Sequence, residues 1–181
     1  MGKQIALLRA VNVGKRQVPM ARLKELMAAD GFLEVATYLQ SGNVFFADGG
    51  LSPAENGARL EKLLLDTFGF VVEVVMRSSA QLDAVIAANP LPTRVEDSKR
   101  YVVTFFGAGQ APDAAVVAGL KVEDFAPDEF AFLGDELYSW SPNGVHTSKF
   151  TQQFLNRKLG IQVATARNWN TVLKLRELAE S

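Results

Sequence analysis

Val35-Ala36-Thr37-Tyr38-Leu39-Gln40-Ser41-Gly42-Asn43-Val44-Phe45-Phe46-Ala47 is the stretch on which the fold turns. Val35 to Gln40 and Val44 to Ala47 read as two short strands. Ser41-Gly42-Asn43 between them reads as a hairpin-like turn, because glycine and asparagine tolerate the left-handed backbone angles of a tight reversal. Upstream, Ile5 to Ala10 reads as a buried strand. Pro19, a favoured first helical residue, then opens a helix with Met20, Leu23, Leu26 and Met27 on one face, stopping at Gly31. Downstream, Ser52, Pro53 and Glu55 form a capping-box signature for a helix with Leu60, Leu63, Leu64 and Phe68 inward, closing near Gly69. Val71 to Met76 reads as a strand, and Ser78-Ser79 starts a helix that ends at Asn89-Pro90. With the hairpin in place the order is β-α-β-β-α-β-α, the split βαβ or ferredoxin-like pattern plus one helix, and its strands are expected in the order 4-1-3-2.

Pro90 to Ser98 breaks this pattern with two prolines and a mixed-charge run from Arg94 to Asp97. After it the same order returns. Tyr101 to Phe106 is a strand and Asp113 to Leu120 a helix; Phe130 to Leu133 and Glu136 to Trp140 form a hairpin across Gly134-Asp135. A helix is expected from Ser148 to Gly160, a short strand from Ile161 to Ala164, and a last helix from Trp169 to Ala179. The expected fold is therefore α+β: two tandem ferredoxin-like (βαββαβ plus extra helix) subdomains with antiparallel sheets, over 1–90 and 99–181, with a linker at 91–98.

Composition narrows the function classes. At 181 residues, 48% hydrophobic and 22% charged, the chain has material for a buried core. Its 19 Lys+Arg against 20 Asp+Glu give a net charge of −1, which argues against a grip on duplex nucleic acid through a wide basic face, since such grips need many phosphate contacts. There is no cysteine, and His146 is the single histidine, so no metal site and no cofactor are expected. The apolar run Ile5 to Leu8 is far too short to span a bilayer, and the expected location is the cytoplasm.

Two polar clusters are the candidate sites. In the first, Arg9, Asn12, Lys15, Arg16, Gln40, Ser41 and Asn43 fall at one edge of the expected sheet, beside the start of the first helix. Exposed backbone donors and the helix dipole favour an anion there. The second lies around two helix starts of the second half and includes Lys149, Arg167, Asn168 and Trp169, with His146 and Ser148 close in sequence. Bland readings compete: Arg9 in an ion pair with Glu34 or Asp30, Asn12 and Gly14 as turn formers, Asn168 and Thr165 as helix caps, Trp169 as packing, Arg77 and Arg176 as solvated charges.

The stretches Ala6 to Leu26, Thr37 to Phe46, Phe68 to Pro90 and Ser148 to Leu175 resemble a bacterial family catalogued as domain of unknown function 1697. Many members look like they carry Gly-Ile where this chain has Ala10-Val11, and a second glycine where it has Lys15. The resemblance implies an α+β fold in two related subdomains and a soluble bacterial protein, and no activity. Three functions stay open: a binder of a small anionic (phosphorylated or carboxylated) ligand, an acyl-phosphate hydrolase-like enzyme, and a single-stranded nucleic-acid module with Phe45 and Phe46 as its stacking platform.

Overall fold

The computed structural model describes residues 2–47 and 49–180. The chain divides into two compact units, 2–83 with 175–180 and 84–174.

The elements from the first half of the chain are β1 (Lys3–Leu8), α1 (Met20–Ala29), β2 (Ala36–Tyr38), β3 (Asn43–Ala47), α2 (Pro53–Phe68), β4 (Val74–Ser78) and α3 (Ser79–Ala87). The four strands form one sheet in the order β2-β3-β1-β4, which read from β4 is the expected 4-1-3-2, and each neighbouring pair is antiparallel. The capping box holds. The Ser52 hydroxyl accepts from the Glu55 amide and the Glu55 carboxylate accepts from the Ser52 amide. The Ser52 hydroxyl also donates to the Glu55 carboxylate at 2.6 Å, and this bond foremost, with the one from the Ser52 amide, holds the Glu55 carboxyl below its usual pKa. Gly69, left-handed at φ 78, stops α2. Ala6, Leu8, Val44 and Phe46 meet Leu23, Met27, Leu60 and Leu64 of the two helices in one core. Ile5, Leu7, Phe45 and Val75, on the opposite face by strand alternation, are buried as well. Both phenylalanines of the β3 run are thus interior, at 1% exposure, and offer no stacking platform to a base.

The second half contributes β5 (Tyr101–Phe106), α4 (Ala114–Ala118), β6 (Glu129–Leu133), β7 (Glu136–Trp140), α5 (Gln152–Leu159), β8 (Ala164–Asn168) and α6 (Trp169–Glu180). Its sheet runs β6-β7-β5-β8, the same arrangement strand for strand as the first. Leu137, Phe106, Leu155, Leu159 and Ile161 form its helix-side core, flanked by a group of phenylalanines. Phe125 stacks on Phe150 with centroids 4.7 Å apart and meets Phe154 edge-on at 5.6 Å. On the other face the buried Tyr138 hydroxyl donates to the Val85 carbonyl at 2.9 Å, which seats the end of α3 in this unit. Burial raises the pKa of Tyr138 and Tyr101 well above the ordinary phenol range.

Three local expectations need correction. β4 and β8 each start three residues later than the apolar runs suggest, so Arg77 and Arg167 lie within strands. Arg77 is buried, not solvated, with its guanidinium donating to the Met76 carbonyl. Arg176, half-buried on α6, is paired with Asp83 and Glu180. The α5 helix starts at Gln152 under a Thr151 cap, because a 3-10 turn at Val145–Thr147 takes up the residues around Ser148. The stretch 91–98 carries another 3-10 turn, Pro92–Asp97. It is held by the Arg94–Glu129 ion pair, by Arg94 lying 4.0 Å over the Trp140 ring, and by the Trp140 Nε1–H donating to Asp97 at 2.9 Å. No helix among the described residues is long and apolar enough to cross a membrane.

Candidate functional site

The antiparallel register puts the end of β1, the end of β2 and the starts of β3 and β4 at one edge, since Leu7 pairs with Asn43, Tyr38 with Asn43 and Leu8 with Val74. The loop from residue 9 to 19, the turn 39–42 and the loop 69–73 meet there. Ala10, Asn12 and Gly14 have φ of 51, 56 and 56, and Leu39 and Gly42 have 58 and 84. Non-glycine residues in the left-handed region cost roughly 1–2 kcal/mol each and persist only where their surroundings hold them.

Asn12 supplies much of that hold. Its Nδ2 donates to the Gln40 carbonyl at 2.6 Å and the Val18 carbonyl at 3.0 Å, and its Oδ1 accepts from the Val18 amide at 2.9 Å. Asn43, fully buried, donates to the Tyr38 carbonyl at 2.7 Å and to Ser41 Oγ at 3.2 Å, closing the turn. The Leu8 amide donates to the Gly42 carbonyl at 2.8 Å. Asn12, Ser41 and Asn43 are therefore brought together as one lashed corner. We expect Asn12→Ala to cost about 2–3 kcal/mol, since three bonds go and carbonyls lose their donor. Asn12→Gly should cost about 1 kcal/mol less, because glycine accepts the left-handed angle. Urea denaturation of the two variants separates the contributions.

Arg9 takes a different direction. Its guanidinium pairs with Glu73, in the loop that leads into β4, and its amide donates to the Glu73 carbonyl at 3.0 Å. The expected partners Glu34 and Asp30 are not used; Asp30 holds Arg59 instead. Because β1 lies between β3 and β4, this pairing draws Arg9 to the β4 flank, while Asn12, Ser41 and Asn43 serve the β3 flank. Arg16 pins the loop from below: its Nε donates to the Ala10 carbonyl at 2.8 Å and its Nη2 to the Val71 carbonyl at 2.7 Å. Lys15 is exposed at the loop tip. Glu73 had no sequence signal, since its pairing spans 64 residues.

The second cluster splits between interior and surface. Arg167 is buried on β8; its Nη1 donates to Thr165 Oγ1 and the Ala166 carbonyl, both at 2.8 Å, and burial lowers its pKa to about 10. Trp169 is buried and stacks on Tyr101 with centroids 5.1 Å apart. Asn168 is exposed and caps α6 through the Thr171 amide at 2.9 Å, whereas Thr165 is a strand residue. Lys149 is exposed, its ammonium donating to the Asp124 carbonyl. His146 is exposed, and Ser148 Oγ is occupied by the Phe150 amide at 3.2 Å. Arg77 and Arg167 hold equivalent places: each is the penultimate residue of the fourth strand of its sheet, followed by a capping residue and a helix.

Comparison with known proteins agrees with this geometry at the level of fold. The structure matches that of the conserved bacterial protein SP0830 from Streptococcus pneumoniae at a TM-score of 0.78 and 23% identity, over 100% of this chain and 99% of that one. No curated protein matches the sequence. A family model described as protein of unknown function (DUF1697) matches residues 1–138, and the chain belongs to that family.

Proposed function

We propose that the first unit is a ferredoxin-like scaffold that binds a small oxyanion, the phosphate or carboxylate of a metabolite, at the loop following β1. The observation that carries this reading is the backbone of that loop. Among the described residues φ is positive at 10, 12 and 14 and not at 11 or 13, so the hand alternates residue by residue. Tight turns of this kind can leave backbone N–H groups to face an anion, and here the Asn12 amide is spent on the Arg16 carbonyl while amides on either side of it stay available. The amides of Ala10, Val11, Gly14 and Lys15 have no backbone acceptor among the described residues. Lys15 stands exposed at the tip, and the start of α1 lies at the same edge. Binding is favoured over turnover because the side-chain amides of Asn12 and Asn43 are spent on carbonyls of the fold, which leaves neither to orient a water.

The test is isothermal titration of inorganic phosphate and a panel of phosphorylated and carboxylated metabolites into the protein and its Lys15→Ala variant. A hydrogen bond to a charged group contributes about 1.5–3 kcal/mol, so the variant should bind at least about tenfold more weakly with its stability unchanged. Equal affinity in both proteins, or no binding of any member of the panel, rejects the loop as the site.

A further inference from the structure

The forty residues from Leu137 to Arg176 contain no aspartate or glutamate, yet carry Lys149, Arg157, Lys158, Arg167, Lys174 and Arg176, in a chain whose net charge is −1. The structure disposes of these cations unequally. Arg167 is buried and Arg176 is neutralised by Asp83 and Glu180. Lys149, Arg157 and Lys158 are exposed and line one open groove of about 380 Å³ with Thr151, Gln153 and Phe154. None of the three is in an ion pair among the described residues. The Lys149 ammonium meets a neutral carbonyl, that of Asp124, and the Arg157 guanidinium faces the neutral Gln153 side-chain amide, whose oxygen accepts from it once the amide is turned about. Three uncompensated cations on one face repel one another, and a protein keeps such a face most readily when a polyanion neutralises it.

The spacing suits an extended polyanion better than a compact one. Lys149 precedes α5, whereas Arg157 and Lys158 lie near its end, about 9 Å along the axis from Gln152 at 1.5 Å per residue, so the cations stand at the two ends of the helix. Between them sit a hydroxyl, a side-chain amide and the half-buried ring of Phe154. Cations along a groove with neutral donors and an aromatic surface are the ingredients of single-strand binding without base-edge readout. We infer that this face of α5 is an interaction surface for the phosphodiester backbone of a short single-stranded nucleic acid. It is independent of the loop after β1, and it lies far from the β3 phenylalanines in sequence and in a different unit of the chain.

Fluorescence anisotropy with a labelled oligothymidylate of about ten nucleotides tests this, on the full chain and on an Arg157→Gln/Lys158→Gln variant whose folding is checked by circular dichroism. Three phosphate contacts predict a slope of log K against log salt near −2, at about −0.7 per contact on single strands. The double variant should lose at least tenfold in affinity and flatten the slope to about −0.7, while the exposed α1 variant Lys24→Ala leaves both unchanged. Retention by Lys149→Arg, with loss in Lys149→Gln, separates charge from packing at the third position. The inference is overturned by absent binding at low salt, by an unchanged double variant, or by equal binding to a poly-glutamate peptide.

Discussion

Gly42→Ala is expected to lower stability by about 3 kcal/mol, equivalent to roughly 6–12 °C in Tm for a chain of this size. A Cβ at this position would sit 2.7 Å from both Leu8 Cβ and Val11 Cγ2, closer than real Cβ atoms come, and φ is +84. The left-handed angle contributes about 1 kcal/mol, and forcing a methyl between a β1 side chain and the 9–19 loop contributes the rest. Gly69→Ala is the control. Gly69 has φ of +78 with nothing within 4 Å of its would-be Cβ, so it should pay only the backbone part. Equal losses at the two sites in thermal melts would show that the packing of the turn against Leu8 and Val11 contributes nothing. If the proposed anion site exists, a Gly42 variant that folds with a shifted turn should also disturb it, because Asn12 is tied to the neighbouring Gln40 carbonyl.

The second large effect is expected at Phe125. Its ring is 6% exposed and lies against Phe130, Phe150 and Phe154 at centroid distances of 4.9, 4.7 and 5.6 Å. Phe125→Ala removes the ring from all three and leaves a void that the 3-10 turn Val122–Phe125 cannot close, at a cost of about 3–5 kcal/mol. Phe125→Leu keeps most of the volume and should cost about 1.5 kcal/mol or less. Both tryptophans, Trp140 and Trp169, lie in the same unit, so their fluorescence in urea follows the loss directly. A Phe125→Ala midpoint within error of the parent would mean that the phenylalanine group is an ornament on a core held by Leu137, Leu155 and Ile161.

The element order was legible because turn chemistry announced it. Ser41-Gly42-Asn43, Gly134-Asp135, the Ser52 capping box and Gly69 each act within a few residues, where sequence and conformation are directly coupled. β4 and β8 were placed early because the apolar runs Val71 to Met76 and Ile161 to Ala164 stop short of an arginine; Arg77 and Arg167, each next to last in its strand, are instead enclosed, with carbonyls as acceptors. The α5 start was misplaced for a related reason. Ser148 is a good cap by residue type, but the 3-10 turn Val145–Thr147 runs into it and Thr151 caps the helix instead. At the candidate site, the gathering of Asn12, Ser41 and Asn43 followed from topology. The diversion of Arg9 to Glu73 did not, because a pairing across 64 residues leaves no local trace.

Residues 175–180 are counted with 2–83, while 84–174 is unbroken in sequence. A ribosome therefore releases every part of the later unit before it has released every part of the earlier one. The unit that is begun first is therefore completed last, and 84–174 is whole in sequence before the other is. Residues 2 and 180 belong to one unit, so labels placed at these two positions report on the same body.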